Sequence, residues 1–212
     1  MMIRGRSGSP MDHVKRYFDE VYPYSATGRW YAFRAGATQR ARLVSRLIPR
    51  LEGKTLCDIG CGNGALVADI IRISGIPSRL ALIDVSPRAL SAAQNRLSVL
   101  PVALSAWPCN AIDGAVCGRH DVAMAIGVMD YHAKWDEVFP LLRGFASELL
   151  IVDFPRSWRF RNLFRKAWLG HHGVALRSTT LRGLQRFLDR HAASYDIVPS
   201  RYNWIARIAI AP

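Results

Sequence analysis

The sequence predicts an α/β fold, in which a mostly parallel sheet of seven strands ends in a C-terminal strand hairpin and carries helices on both faces. Two observations predict this fold. From residue 55 onward, apolar runs of strand length alternate with segments of helical spacing, which is typical of βα units. The chain then ends in two strand-like runs with no helix between them, 194–200 and 203–211. A chain of 212 residues is long enough for one such domain.

The elements follow from local patterns. The predicted strands before the hairpin are 55–60, 79–85, 102–107, 120–128 and 148–154. The predicted helices between them are 65–74, 87–100, 134–146 and 181–191. The pair Ser86-Pro87 marks the start of the second helix, because serine is a favoured N-cap and proline suits the first helical turn.

We expect one domain at residues 11–212, preceded by a loose tail at residues 1–10. Within the domain, residues 11–50 are predicted to form an N-terminal helical cap, and residues 155–178 form an insertion after the fifth strand. Residues 157–168 can form a helix with two unlike faces. Its basic face carries arginine and lysine, and its apolar face carries Phe160, Leu163, Phe164, Ala167 and Trp168.

Composition excludes several classes of protein. Half of the residues are hydrophobic and 21% are charged, which excludes wholesale disorder. No stretch approaches the ~18–20 apolar residues of a membrane span, and the N-terminus lacks the apolar core of a secretory signal. The four cysteines form no C-x-x-C pair and have no zinc-finger spacing with histidine. The sequence therefore predicts reduced thiols in a cytoplasmic protein, and no metal site.

Positive charge is concentrated at the two ends of the chain. The formal net charge is +13. Residues 1–50 carry 10 basic and 3 acidic groups, residues 51–150 carry 8 and 10, and residues 151–212 carry 11 and 3. A uniform Arg-rich codon bias would not leave the middle slightly acidic. We therefore expect the ends to face an anionic partner, which is a nucleic acid, a membrane surface or an acidic small molecule.

The first strand leads into a glycine loop. Asp58 is followed by three glycines at alternate positions, Gly60, Gly62 and Gly64, which let the backbone turn sharply and approach a ligand closely. The next helix directs its N-terminus at that ligand. The second strand ends in Asp84, which is placed to accept hydrogen bonds from both hydroxyls of a ribose. These features predict a cofactor that contains a nucleoside.

Two cofactors fit this pattern in principle. The run from Gly60 to Ala65 satisfies the dinucleotide pattern G-x-G-x-x-G/A. However, an acid lies two residues before the first glycine, and the chain offers no second domain for a hydride acceptor. The segments LCDIGCGNG and ALIDVSPRAL instead resemble the first two motifs of class I S-adenosylmethionine-dependent methyltransferases, which have a Rossmann-like fold.

The resemblance implies S-adenosylmethionine as the cofactor and assigns residues to it. The glycine loop holds the methionine part and Asp84 holds the ribose. Asn110 is the position that matches the family's acidic residue near the adenine, with Asp113 as a rival. The cofactor residues that the resemblance implies are Asp58, Gly60, Cys61, Gly62, Gly64, Asp84, Val85, Asn110, Ala111 and Ile126.

Two further motifs resemble a methyltransferase subgroup. The run Gly127–Tyr131 reads G-x-x-D-Y after the fourth strand, and the run Phe154–Trp158 reads F-P-R-x-W after the fifth. Proteins with these motifs are distantly similar to methyltransferases that act on magnesium protoporphyrin and ubiquinone precursors. In such a fold the segments outside the sheet choose the acceptor, and here these are the two basic segments.

Candidate catalytic residues follow the fourth strand. A neutral His132 can deprotonate an oxygen nucleophile, although a loop histidine without a catalytic role fits the sequence as well. Asp130 and Tyr131 are further candidates, and Tyr131 fits core packing equally. For acceptor binding, the candidates are Arg156 and Arg159 as clamps for phosphate or carboxylate, and Tyr24 and Tyr31 as a lid.

The sequence therefore favours methyl transfer to a small or lipid-linked, anionic acceptor, most simply at oxygen, by a cytoplasmic protein that can contact the inner face of a membrane. The helix at 157–168 fits an anionic membrane interface, or a cap over the site with its apolar face inward. An RNA or DNA methyltransferase is less favoured, because the run Gly127–Asp130 lacks the N/D-P-P-Y/F motif of many base-amino methyltransferases. A non-catalytic cofactor-binding subunit of a partner remains an alternative.

Overall fold

The structure of the protein is a computed structural model. It describes residues 10–21, 31–110, 117–132, 134–157, 160–172, 174 and 176–211. Within those ranges it describes all side chains except those of residues 10–12, 21, 31–37, 160–163 and 165.

A single seven-stranded sheet organises the fold, with the strand order β3-β2-β1-β4-β5-β7-β6. The strands are β1 (Thr55–Ile59), β2 (Arg79–Asp84), β3 (Ala103–Pro108), β4 (His120–Ala125), β5 (Ala146–Pro155), β6 (Ser194–Pro199) and β7 (Asn203–Ala209). The first five pair in parallel, and β7 pairs antiparallel with both β5 and β6. The predicted α/β fold with a closing hairpin is therefore confirmed.

Helices cover both faces of the sheet. They are α1 (Pro10–Arg16), α2 (Tyr31–Leu47), α3 (Ala65–Ser74), α4 (Pro87–Leu97), α5 (Trp135–Gly144), α6 (Phe160–His171) and α7 (Leu181–His191). One apolar cluster joins the sheet to α2, α3 and α4, and a second joins it to α5 and α7. Alternate residues of β1, β4 and β5 point into the two clusters, as the period of two along a strand requires.

Helix starts agree with the sequence signals. The Ser86 hydroxyl accepts a hydrogen bond from the Ala89 amide, so Ser86 is the N-cap of α4, with Pro87 in its first turn. Thr180 caps α7 in the same way through the Gly183 amide. The fourth strand is shorter than predicted and ends at Ala125 rather than at residue 128. Gly127 adopts a positive φ of 83°, and Met129–Tyr131 then forms a 3₁₀ turn.

The N-terminal segment and the insertion pack together. A π-helical turn, Tyr17–Val21, continues α1. A third apolar cluster then joins Val14 of α1 to Leu169 of α6, with Tyr131 packed against it. The two segments that are predicted to choose the acceptor therefore form one layer next to the 3₁₀ turn after β4.

Candidate active site

The loop after β1 turns on three glycines with positive φ, namely 71° at Gly60, 54° at Gly62 and 72° at Gly64. The Gly60 amide donates a hydrogen bond to the Ile83 carbonyl at 2.7 Å, which holds the loop against the end of β2. A Cβ atom at Gly60 would lie 2.5 Å from Val128 Cγ2, whereas a Cβ atom at Gly62 would meet no protein atom within 4 Å. Gly60 is therefore required by the protein's own packing, while Gly62 faces open space that a ligand can fill.

Asp84 ties the loop to the second strand. Its Oδ2 accepts a hydrogen bond from the Gly62 amide at 2.7 Å, and its Oδ1 accepts one from the Ser86 amide at 2.9 Å. Burial raises the pKa of Asp84, with a further contribution from Asp19, and these two amide hydrogen bonds oppose the increase. The carboxyl group is therefore held at a fixed position at the end of β2, where a ribose is expected.

Asp58 has an unsatisfied acceptor. The side chain is 2% exposed, and its Oδ2 has no hydrogen-bond partner among the residues that the structure describes. Burial raises the pKa of Asp58 well above its ordinary range, and the nearby Asp84 adds to the increase. A buried carboxyl group without a partner is costly, and the ammonium group of the methionine part of S-adenosylmethionine would supply the missing donor.

The start of α3 completes the cofactor site. Gly64 is its N-cap and offers no side-chain cap, so a helix N-terminus lies next to the glycine loop, and such a terminus suits a carboxylate. A carboxylate and an ammonium group are the two charged ends of the methionine part of the cofactor. The residues present therefore fit S-adenosylmethionine.

The N-terminal segment lies over the ribose side of this site. The Ser86 hydroxyl donates a hydrogen bond to Asp19 Oδ1, and Arg88 Nη1 donates one to the Asp19 carbonyl at 3.1 Å. Next to Asp19, the Phe18 ring meets the Tyr131 ring edge-on at a centroid distance of 5.1 Å. These contacts place the π-helical turn between the end of β2 and the 3₁₀ turn after β4.

That 3₁₀ turn carries the predicted catalytic residues. Asp130 is 1% exposed, His132 is 9% exposed and Tyr131 is half-buried. Burial lowers the pKa of His132, so the imidazole is neutral at pH 7. The structure therefore brings all three residues together at the carboxyl end of β4, next to the glycine loop, since Val128 lies over Gly60.

A second buried acid fixes the end of β5. Asp153 accepts hydrogen bonds from the Gly127 amide at 2.6 Å and from the Asn203 side chain, and Arg40 Nη1 lies 3.7 Å from its Oδ2. Burial raises the pKa of Asp153 to about 6, because it outweighs the opposing charge of Arg40, while Asp130 adds to the increase. Asp153 therefore holds the turn after β4 by its glycine amide.

Arg156 contacts the closing hairpin. Its guanidinium lies 4.1 Å from the centre of the Trp204 ring, and its Nη1 donates a hydrogen bond to the Ser200 carbonyl at 2.8 Å. These contacts give Arg156 a structural role, and its predicted role as an acceptor clamp stays a prediction. A second arginine, Arg177, stacks on the Trp135 ring at 4.2 Å, and its amide donates to the Asp130 carbonyl.

The other cofactor candidates lie at the same edge of the sheet. Cys61 is buried in the glycine loop, Val85 follows β2, and Ile126 follows β4. Asn110 is half-buried, two residues beyond β3. Tyr24, Ala111, Asp113 and Arg159 lie outside the described residues, as does the side chain of Tyr31, so their roles stay predictions.

Three residues near the site carry no motif that marks them in the sequence. Asp19 contacts Ser86, which lies 67 positions further along the chain. Arg40 faces Asp153 from α2, and Asn203 does so from β7. Each depends on long-range contacts. In the sequence, Arg40 and Asp19 are only charged residues within the predicted N-terminal cap, and nothing there indicates which residue each of them contacts.

Comparison with known proteins agrees with this geometry. Residues 51–104 match the family described as a methyltransferase domain, and this segment contains β1, the glycine loop, α3, β2 and α4. No curated protein sequence matches the chain.

Solved structures share the fold at low sequence identity. The magnesium protoporphyrin IX methyltransferase from Synechocystis PCC 6803, with bound S-adenosylhomocysteine, is 16% identical with a TM-score of 0.73, and the match covers 95% of this chain and 100% of that one. The N-methyltransferase NodS from Bradyrhizobium japonicum WM9 is 15% identical with a TM-score of 0.62, over 97% and 100%. The pyocyanin biosynthetic protein PhzM is 18% identical with a TM-score of 0.65, over 92% and 61%.

The matched segment contains the glycine loop, Asp58 and Asp84, and 92–97% of the chain aligns with the fold of these three proteins. The domain match, the fold and the fit of the loop to its ligand together support an S-adenosylmethionine-dependent methyltransferase.

Proposed function

We propose that the protein transfers the methyl group of S-adenosylmethionine to an oxygen atom of a small or lipid-linked, anionic acceptor. The observation that carries this proposal is His132, which is buried just after the 3₁₀ turn at the carboxyl end of β4 and whose pKa is lowered by burial. A neutral imidazole is the protonation state that can accept a proton from a hydroxyl group at neutral pH.

The residues around His132 support the transfer by position. The cofactor supplies an electrophilic methyl group on its sulfonium, which is already a good leaving group. The protein then has to align the acceptor with that group and exclude water. The Phe18 ring of the N-terminal segment packs edge-on against the Tyr131 ring of the 3₁₀ turn, beside the proposed acceptor position. In this proposal His132 deprotonates the acceptor hydroxyl, and Asp130 shapes the turn that carries it.

Charge supports an anionic acceptor. The two segments that cover the site belong to the basic ends of the chain, and the cofactor-binding middle is slightly acidic. A basic cap attracts a phosphate- or carboxylate-bearing molecule toward the site. Arg159, and Tyr24 and Tyr31 on the lid, remain the proposed acceptor contacts, together with Arg156.

A lipid-linked acceptor is favoured by α6. Leu169 is 1% exposed and holds α6 against α1, but Phe164 and Trp168 are 63% and 55% exposed. The alternative prediction, in which the helix covers the site with its apolar face inward, is therefore wrong for Phe164 and Trp168. Both side chains lie on the surface, on the same helix as Lys166. None of the described helices is long and apolar enough to cross a membrane. An exposed aromatic pair with basic neighbours suits peripheral contact with anionic lipid at the cytoplasmic face.

Transfer of a labelled methyl group tests the acceptor class. The full chain is incubated with methyl-labelled S-adenosylmethionine and a panel of hydroxyl-bearing acceptors, including sugar phosphates, hydroxylated aromatic acids, polyprenyl-linked saccharides and RNA. We expect label in an anionic small or lipid-linked acceptor, at an oxygen atom by mass fragmentation. Label in RNA with steep salt dependence would contradict the proposal, and so would label on nitrogen.

Vesicle binding tests the membrane contact. Trp168→Ser should weaken binding to vesicles of anionic phosphatidylglycerol by roughly 10- to 150-fold, because burying one large aromatic side chain contributes about 1.5–3 kcal/mol. Trp107→Ser is the matched control, since Trp107 is also exposed but lies on β3. Equal binding by the wild type and the Trp168 variant would exclude α6 from the contact.

A further inference from the structure

Three side chains of the metal-ligand type meet at a place that the cofactor site does not use. Cys57 lies in the middle of β1, Cys117 precedes β4, and His120 is the first residue of β4. One ligand atom from each lies within 4.8 Å of the other two. His120 begins β4, so the cluster lies toward the opposite end of that strand from the 3₁₀ turn.

The distance between the sulfur atoms fits a shared metal ion. Cys57 Sγ and Cys117 Sγ are 3.9 Å apart. Two thiolates that bind one tetrahedral zinc ion at about 2.3 Å each have their sulfur atoms about 3.8 Å apart. The two thiols therefore already have the separation of zinc ligands, and they are too far apart for a disulfide bond, whose length is about 2.05 Å.

His120 supplies a second, independent indication. Its side chain is 7% exposed, and neither buried ring nitrogen has a hydrogen bond of ordinary geometry to a described residue, although the Cys117 thiol lies close to it. A buried imidazole with no partner is costly. The strand itself is well anchored, because the His120 amide donates to the Phe145 carbonyl at 2.9 Å and the Ser147 hydroxyl donates to the His120 carbonyl. A metal ion would satisfy one nitrogen where the protein does not.

An irregularity in the backbone at the start of β4 helps to bring the three side chains together. The register of β4 against β5 shifts between His120 and Val122, and an irregularity of this kind changes the direction of nearby side chains. Cys57 is buried while Cys117 is half-buried, so the cluster has a route to solvent through Cys117. Two thiolates and one divalent cation carry no net charge, which limits the cost of burying the ion.

We infer that Cys57, Cys117 and His120 form a binding site for one zinc-type cation, with a fourth position open to water. Thiolate and imidazole ligands select zinc over magnesium or calcium. Because the site ties the residues before β4 to the centre of β1, zinc binding stabilises the fold rather than taking part in methyl transfer. The site is independent of the proposed acceptor and needs only the described geometry.

Metal titration of the whole chain tests the site. The reduced, metal-free protein is titrated with zinc in competition with a chromophoric chelator, and separately with cobalt. We expect one zinc ion per chain, a rise in thermal stability on binding, and the thiolate-to-cobalt charge-transfer absorption of a tetrahedral site. Cys117→Ser should weaken zinc binding by more than about 100-fold, which exceeds the 10–100-fold loss for an outer-sphere partner.

Two variants keep the test decisive. His120→Asn should also weaken zinc binding, and Cys109→Ser, which removes another half-buried thiol packed on the same core, should leave it unchanged. Retained binding of S-adenosylhomocysteine by each variant shows that it has folded. Three results would overturn the site: no stoichiometric zinc binding, equal zinc affinity in wild type and Cys117→Ser, or rapid formation of a Cys57–Cys117 disulfide with no zinc bound.

Discussion

The cofactor half and the acceptor half of the site are built differently. Around the glycine loop, backbone amides define the geometry: the Gly60 amide donates to the Ile83 carbonyl, and the Gly62 amide donates to the buried Asp84 carboxylate. Around the acceptor, the defining contacts are between side chains of distant segments, such as Phe18 on Tyr131 and Leu169 on Val14.

This difference explains which residues of the site can be substituted. A loop held by main-chain hydrogen bonds and positive φ angles tolerates few substitutions, because glycine is required by geometry. A layer held by aromatic and aliphatic contacts can be repacked with other apolar side chains of similar volume. One half therefore fixes a shared cofactor, and the other half allows the acceptor to differ between proteins of this fold.

The two loop glycines give the largest expected effect. Gly62→Ala should abolish binding of S-adenosylhomocysteine, because the new methyl group enters the space left for the ligand, while unfolding stability falls by only about 1–2 kcal/mol from the positive φ. Gly60→Ala should also abolish binding, and it should lower the free energy of unfolding by about a further 1–3 kcal/mol. The reason is that its Cβ would lie 2.5 Å from Val128 Cγ2. Calorimetry measures the affinity of both variants for S-adenosylhomocysteine, and urea unfolding measures their stability. Unchanged binding in Gly62→Ala would remove the loop from the cofactor site.

His132 gives the next largest effect, and it concerns the acceptor half. His132→Asn should lower kcat by about 10²–10⁴-fold with little change in cofactor affinity, since a general base acts in the transition state. Burial lowers the pKa of His132, so the wild-type kcat should stay constant from pH 8 to below the ordinary value of about 6.5 and fall only at lower pH. His171→Asn, at the exposed end of α6, is the control. A flat pH profile in wild type would contradict the role.

Asp58→Asn should weaken S-adenosylmethionine binding by about 10–100-fold, because an amide accepts one hydrogen bond but carries no charge. Since burial raises the pKa of Asp58, binding the cationic cofactor should release a proton, and affinity should increase as pH rises. Calorimetry in buffers of different ionisation enthalpy measures that proton. The matched control is Asp69→Asn on the surface of α3, and proton release that persists in Asp58→Asn would argue against this assignment.

The smallest expected effect concerns Asp19, which lies where the cofactor half and the acceptor half meet. Asp19→Ala removes the hydrogen bond from the Ser86 hydroxyl, so the N-terminal segment should exchange amide hydrogens faster and the cofactor should dissociate a few-fold faster. Glu20→Ala removes the neighbouring exposed acid and should change neither rate. Equal exchange in the two variants would show that Asp19 does not hold the segment.

Sequence reasoning reached the cofactor half because its signals are local. Glycine spacing, strand periodicity and the Ser86-Pro87 start of α4 lie within a few residues of the structures they produce, and the structure confirms the sheet, the hairpin and the helix starts. The predicted end of β4 was wrong by three residues, because apolar side chains continue past the point where Gly127 turns the chain.

The other features depend on contacts that the order of residues does not reveal. The sequence predicts an apolar face that includes Phe164, Ala167 and Trp168, but these three side chains are exposed. The side chain that packs against α1 is Leu169, which does not lie on the predicted face. Cys57 and Cys117 are sixty positions apart, so no ligand spacing links them before the sheet forms. Asp19 approaches Ser86 only once the N-terminal segment has docked.

The central claim is that the glycine loop, Asp58 and Asp84 bind S-adenosylmethionine. Calorimetric titration of the purified chain with S-adenosylmethionine, S-adenosylhomocysteine and NAD tests this claim most directly. The account predicts saturable one-to-one binding of both adenosyl compounds and no binding of NAD, with both affinities lost in Gly62→Ala. Binding of NAD alone, or of none of the three by folded protein, would contradict it.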